Sequence, residues 1–259
     1  MLRAESVSFG YNGGFTLTDA TVEIGDGVVT GLLGPNGCGK TTLLKLLCGV
    51  LQPRSGRVML GDRTLTAMTR RELARHVAVV PQETHPAFDY TVLEMVLMGR
   101  HPHLSAFQLE GPADFELARQ ALDATGTGHL AKRSYMTLSG GEKQRVVIAS
   151  ALTQATDILL LDEPTASLDL GYQLEIASLL ARLNAERRVT MVLATHDLNL
   201  AASLCERVIV MRDGRILAAG ATNEVLTDQT VRRLYDVEAD VRFHSRAGHL
   251  TVVPIRRMP

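Results

Sequence analysis

The chain has 259 residues, 46% of them hydrophobic, with Lys+Arg 27 against Asp+Glu 28, the balance of a packed protein of one large domain or two small ones. No global basic field marks it for nucleic acid, and Cys38, Cys48 and Cys205 are too few and too scattered for a disulfide framework or a zinc site, so a reducing compartment fits. The opening MLRAESVSFGY lacks an apolar signal region and no run of eighteen apolar residues occurs, so neither a signal peptide nor a membrane span is expected, and any spanning falls to another subunit.

In chain order, RAESVSFGY, an NGG turn and FTLTDATVEI predict β-structure. The apolar VVTGLL predicts a buried strand that runs directly into GPNGCGKTTLLKLLCGV. There Leu43, Leu44, Leu46 and Leu47 recur at helical spacing, and Gly49 marks the helix end. A short strand GRVML, a basic helix around 70–76 and a strand VAVVPQ follow. From about 87 to 155 the pattern is helical: TVLEMVLMG and ADFELARQALDAT are amphipathic, and a further helix opens at LSGGEKQR, residues 138–145. Ser139 and Glu142 have the spacing of a capping box, yet the residues between them, Gly140 and Gly141, are poor helix formers. Bare backbone at a helix N-terminus suits a phosphate lying against its N–H groups.

After residue 156 buried strands and helices alternate: DILLLDEP, LGYQLEIASLLARLN, VTMVLAT, LNLAASLCE and RVIVM, with a DG turn into RILAAG. Apolar strands separated by helices indicate a largely parallel sheet covered on both faces. Beyond about 220 the pattern reads as two short helices and a hairpin, DVRFHSRAGHLTVVPI, with nothing catalytic in evidence.

Two motifs carry chemistry on their own. GPNGCGKT, Gly34–Thr41, fits the phosphate-cradling loop between a strand and a helix. Gly34, Gly37 and Gly39 let the backbone N–H groups face phosphate, Lys40 neutralises charge on it, and the Thr41 hydroxyl is placed for Mg²⁺. ILLLDE then delivers Asp162 and Glu163 at the C-terminal end of a buried strand, where open parallel sheets bind ligands. Asp162 suits Mg²⁺ and Glu163 suits a general base polarising water. Seen alone the carboxylate pair has a solvated turn as its lesser alternative; beside a phosphate loop the functional reading prevails. His196 in LATHD and Gln82 in VVPQ also follow strands. A lone histidine is usually structural, but this placement favours a γ-phosphate contact. Gln82 offers a neutral amide to metal or water.

The phosphate loop, LSGGE, LLLDEP, SLD and THD occur in that order, and the set resembles the nucleotide-binding subunits of ABC transporters over nearly the whole chain. The resemblance implies ATP and Mg²⁺ as ligands and an α/β P-loop NTPase (RecA-like) core with a mostly parallel sheet, an N-terminal antiparallel β-region and an inserted helical subdomain. It divides a single domain into a core of 1–86 and 156–219, a helical subdomain of 87–155 and an extension of 220–259. It further implies a head-to-tail dimer in which Ser139, Gly140 and Gly141 of one copy grip the γ-phosphate held by Lys40 of the other. By the same resemblance Gly34, Pro35, Asn36, Gly37, Cys38, Gly39, Thr41 and Thr42 would complete the nucleotide loop and Tyr11 would stack on adenine, with Phe9 the weaker alternative. It likewise implies that Gln82 senses Mg²⁺, Asp169 lies at the dimer interface, His196 is the switch histidine and Glu163 the catalytic base. The signature reads LSGGE rather than the common LSGGQ; Glu142 falls after the phosphate-gripping residues, so little loss of activity is expected.

A narrower resemblance, in TVLEMVLMGRHPHL, THDLNLAA and LYDVEADVRF, is to importers of iron–siderophore complexes, haem or cobalamin. It implies two transmembrane permease subunits, an indirect extracytoplasmic binding protein, a peripheral place on the cytoplasmic membrane face and no nucleic acid partner. The stretch 85–110 would dock the permease, and His101 and His103 are read as structural or surface residues rather than metal ligands. Soluble relatives acting on DNA or ribosomes usually carry two ATPase domains or a long coiled coil; this chain has one phosphate loop and no heptad run. An exporter ATPase would share every main motif, and only the narrower resemblance argues against it.

Overall fold

In the computed structural model, which describes residues 1–12 and 14–258, the chain opens with strands β1 (Leu2–Gly10) and β2 (Thr16–Ile24), paired antiparallel. The turn expected at 12–14 includes Gly13, which lies outside the described residues. Strand β2 buries Leu17, Ala20, Val22 and Ile24; a positive φ of 49° at Asp19 shifts the phase so that Leu17 and Ala20 both face inward. The completely buried β3 (Val29–Leu33) follows, then helix α1 (Lys40–Leu47), ending where Gly49 adopts φ 69°. Next come β4 (Ser55–Leu60) and β5 (Arg63–Thr64). Helix α2 (Arg70–Leu73) is one turn, shorter than the stretch expected over 70–76, because the chain must enter β6 (Val77–Val80) in register with Ile158.

Helices α3 (Val92–Leu97), α4 (Pro112–Ala124) and α5 (Gly140–Thr153) stand between β6 and the next strand. Thr91 and Glu94 cap α3 reciprocally. Arg100 ties the group together: its guanidinium contacts Asp114 at 2.8 Å and the Thr153 carbonyl at 2.9 Å, all but out of solvent. Alternation then resumes with β7 (Ile158–Asp162), α6 (Leu170–Arg187), β8 (Thr190–Thr195), α7 (Leu198–Leu204), β9 (Arg207–Arg212) and β10 (Arg215–Ala221). The chain closes with α8 (Thr222–Val225), α9 (Asp228–Tyr235) and a hairpin of β11 (Val237–His244) and β12 (His249–Arg257).

The main sheet has the order β10-β9-β3-β8-β7-β6, parallel from β9 to β6, with β10 antiparallel at its edge; a second sheet, β2-β1-β4-β5, is antiparallel. Period-two alternation explains why the central strands read as unbroken apolar runs. Leu32, Leu160, Val192 and Ala194 enter the core shared with α1 and the antiparallel sheet, whereas Leu33, Leu159, Leu161 and Leu193 enter the core shared with the helices. Full burial of each such leucine contributes about 1.5–3 kcal/mol relative to exposure. The pairings Leu33–Thr195 and Asp162–Ala194 bring the C-terminal ends of β3, β7 and β8 to one level. The loops leaving those ends form the site.

Candidate active site

The loop from β3 enters α1 through Gly39, a left-handed N-cap at φ 110° with no side-chain acceptor for the first-turn N–H groups. A β-carbon there would stand 2.5 Å from the Phe15 ring, so both conformation and packing demand glycine. The uncapped helix end presents positive charge to an anion. Lys40 is 6% exposed and folds back over the loop. Its ammonium donates to the Gly34 carbonyl at 2.8 Å and lies 3.3 Å from Glu163 Oε1.

Glu163 leaves the end of β7 with φ 49°, its backbone N–H bonded to the Ala194 carbonyl at 2.9 Å. A non-glycine residue in that region is strained, and the strain swings the carboxylate between two cationic or donor groups. One oxygen faces Lys40; the other lies 2.7 Å from His196 Nδ1. An ionised carboxylate only accepts, so opposite the ionised form of Glu163 the Nδ1 nitrogen is the donor. Asp162 accepts from the Thr41 hydroxyl at 3.2 Å. Burial raises the Asp162 pKa above the ordinary aspartate range and the Glu163 charge adds to this, opposed by the Thr41 hydrogen bond and by Lys40 and Lys45.

A cleft of about 460 Å³ opens over these groups. Among the described residues its walls include Tyr11, Asn36, Gly37, Gly39, Lys40, Thr41, Thr42, Gln82, Glu163 and His196. Of the two aromatic candidates Tyr11 is the one in the cleft, 43% exposed and edge-on to Phe9 at 5.0 Å; Phe9 packs into the core. Gly34, Pro35 and Cys38 form the back of the loop, with the Cys38 side chain turned into the core. Asp162 reaches the cleft through Thr41. Phe15 and Ala166 also line it and no motif marked them; the only signal for Phe15 was an aromatic immediately ahead of a strand.

Ser139, Gly140, Gly141 and Asp169 do not line this cleft. Ser139 is exposed and closes a capping box: its N–H donates to Glu142 at 2.8 Å and its hydroxyl accepts from the Glu142 N–H at 3.3 Å. The Ser139 N–H first, then its hydroxyl, lowers the Glu142 pKa. Gly141 has a reason within the chain, since a β-carbon would stand 2.5 Å from the Tyr172 ring on α6. Gly140 is exposed and meets only Leu168 at an ordinary 3.5 Å, so bare backbone there faces outward. Asp169 caps α6 by accepting from the Tyr172 N–H at 3.1 Å. His103 contacts the Gln154 carbonyl at 2.8 Å, a structural role. Among the described residues no helix is long and apolar enough to cross a membrane.

Residues 17–166 match the family model described as ABC transporter. The chain is 40% identical over 256 residues to the ferric enterobactin transport ATP-binding protein FepC of Escherichia coli (strain K12), covering 99% of this chain and 94% of that protein. It is 41% identical over 261 residues to the hemin import ATP-binding protein HmuV of Bordetella pertussis (strain Tohama I), covering 97% and 98%. Among solved structures, an ABC transporter assigned to the metal-chelate type, in an inward-facing conformation, matches with a TM-score of 0.87 at 31% identity, covering 98% of this chain and 97% of that one.

Proposed function

The chain belongs to the ABC transporter family as an ATP-binding, ATP-hydrolysing motor subunit of an importer, and we propose that its cargo is an iron–siderophore complex, haem or cobalamin. The observation that carries the cargo class is near-full-length similarity to both FepC and HmuV. Cobalamin completes the class implied by the sequence resemblance.

In the proposed cycle the phosphate chain of ATP lies along the Gly34–Thr42 loop and the N-terminus of α1, with adenine against Tyr11 and Phe15. Lys40 exchanges the Glu163 carboxylate for the terminal phosphates. Glu163, so released, accepts the proton of the attacking water as the water oxygen bonds the γ-phosphorus and the bridge to the β-phosphate breaks with ADP leaving, while His196 turns its N–H from Glu163 to the γ-phosphate. The hydroxyl of Thr41 and the carboxylate of Asp162, 3.2 Å apart, are a hard oxygen pair suited to Mg²⁺. Together with Gln82 they would hold the ion, which supplies charge neutralisation to the phosphate oxygens.

Ser139, Gly140 and Gly141 stand outside their own chain's cleft, which supports a dimer in which they complete the site of a second copy. Asp169 then lies at the join. In that state Ser139 exchanges its capping partner for phosphate. The functional division is a core of 1–86 and 156–219, helices of 87–155 and an extension of 220–259. The dimer works beneath two permease subunits on the cytoplasmic membrane face, the 85–110 stretch docking them, and receives cargo passed on from an extracytoplasmic binding protein.

Growth of a strain lacking the gene tests the cargo class, with haem, ferric siderophores and cobalamin each offered as the limiting nutrient. Failure on one nutrient, rescued by the wild type and not by Glu163→Gln, is the expected result. Normal growth on all three, with redundant transporters deleted, would overturn the cargo assignment.

A further inference from the structure

The C-terminal extension carries no motif used in hydrolysis, yet it is fastened to the segment that holds His196. The Asn199 side chain on α7 exchanges two hydrogen bonds with the backbone of Val252 on β12, donating at 3.2 Å and accepting at 2.8 Å. Arg212, at the end of β9, grips Asp236 with both terminal nitrogens at 2.9 and 2.7 Å and donates to the Arg233 carbonyl at 2.6 Å. Asp236 is the left-handed C-cap of α9, so these bonds lock the last turn of that helix. The residue just inside the cap is Tyr235. Its ring packs against the main helical core and the small core of the extension together, and its hydroxyl donates to the His196 carbonyl at 3.3 Å.

The His196 ring itself is 51% exposed, so packing does not fix it. Its position rests on backbone anchors and on the bond to Glu163. Thr195 accepts from the Asp197 N–H at 3.0 Å, and Asp197 caps α7 through the N–H groups of Asn199 and Leu200. These secure the residues on either side; the Tyr235 hydroxyl secures the carbonyl of His196. A phenol at its ordinary pKa of about 10 already keeps its donor proton at neutral pH, and burial, with further contributions from Cys38, Glu163 and Asp197, raises it further.

We infer that Tyr235 is a positioning residue for ATP hydrolysis: its hydroxyl holds the His196 backbone so that the imidazole stands in the cleft beside the Glu163 carboxylate, from where it turns to the γ-phosphate in the proposed cycle. This makes α9 and the hairpin a brace for the switch histidine. The inference rests on the reading of His196 and Glu163 as the hydrolytic pair.

Tyr235→Phe in the full-length protein tests it, since the ring stays and only the donor goes. With reacting groups slackened by a fraction of an ångström, kcat for ATP should fall by about 5–10-fold. The KM for ATP and the melting temperature should hold. Imidazole nitrogen NMR should show the His196 proton placed on Nδ1 in the wild type, and that preference weakened or lost in the variant. An unchanged kcat, an unchanged Nδ1 signal, or a loss of activity that only tracks a falling melting temperature would each overturn the inference. Glu163→Gln and His196→Ala run alongside separate the two readings. Wild-type turnover in both would sink the hydrolytic pair itself, whereas loss in both with full activity in Tyr235→Phe would sink only the brace.

Discussion

The P-loop at 34–42 and the signature segment at 138–145 are both glycine-bearing approaches to a helix N-terminus, yet they meet opposite fates. At the first, α1 starts with no side-chain cap, and its lysine is buried against Glu163 of the same chain. At the second, α5 is capped by its own Ser139 and Glu142, and Gly140 is exposed. An open helix end at the mouth of a cleft is a binding site waiting within the chain. A self-capped, outward-facing one is stable by itself and exchanges partners only when something better arrives. In the proposed cycle the same local device serves as a receptor in one place and as a reserve contact in the other.

Removing the charge at the first region should have the largest effect. Lys40→Ala is expected to lower ATPase turnover by about 10²–10³-fold, measured by phosphate release, because a preorganised electrostatic contact is lost. At the second region the damage should appear in assembly rather than nucleotide capture. In a Glu163→Gln background, ATP should drive dimer formation in sedimentation, and adding Ser139→Arg should abolish it while nucleotide binding stays within a few-fold. A dimer that survives Ser139→Arg would mean that the signature helix does not complete a second site.

Gly141→Ala sharpens the contrast between the two glycines. Overpacking against Tyr172 should destabilise the fold by about 1–3 kcal/mol, read from denaturant midpoints, whereas Gly140→Ala should leave stability nearly unchanged. Ser139→Ala should cost about 1 kcal/mol without nucleotide, the usual worth of a helix cap.

The smallest expected effect is one of sign with pH. The Glu142 pKa is lowered on folding, so its contribution is fully present above the ordinary glutamate value of 4.5 and is lost as pH falls through the lower folded value. Asp162 is shifted the other way. Its ionised form opposes folding above the raised folded value, and that penalty fades as pH falls. Melting temperatures at neutral pH should therefore drop in Glu142→Gln and rise in Asp162→Asn. The same direction of change in both would contradict the assignment of opposite environments.

Much of this molecule was legible from neighbouring residues alone. The P-loop, the buried strand that ends in Asp162 and Glu163, the capping box at Ser139 and the succession of strands and helices all depend on spacings of a few residues, where sterics and hydrogen-bond reach act directly along the chain. Long-range approach decided the rest. It put Tyr11, already the preferred aromatic, in the cleft and added Phe15. It paired Lys40 with Glu163 across the sheet and laid Tyr172 over Gly141. It also carried Tyr235 to the His196 carbonyl, 39 positions away. Such contacts depend on how whole elements pack, and packing is set by the summed burial of all three cores rather than by any short stretch of sequence.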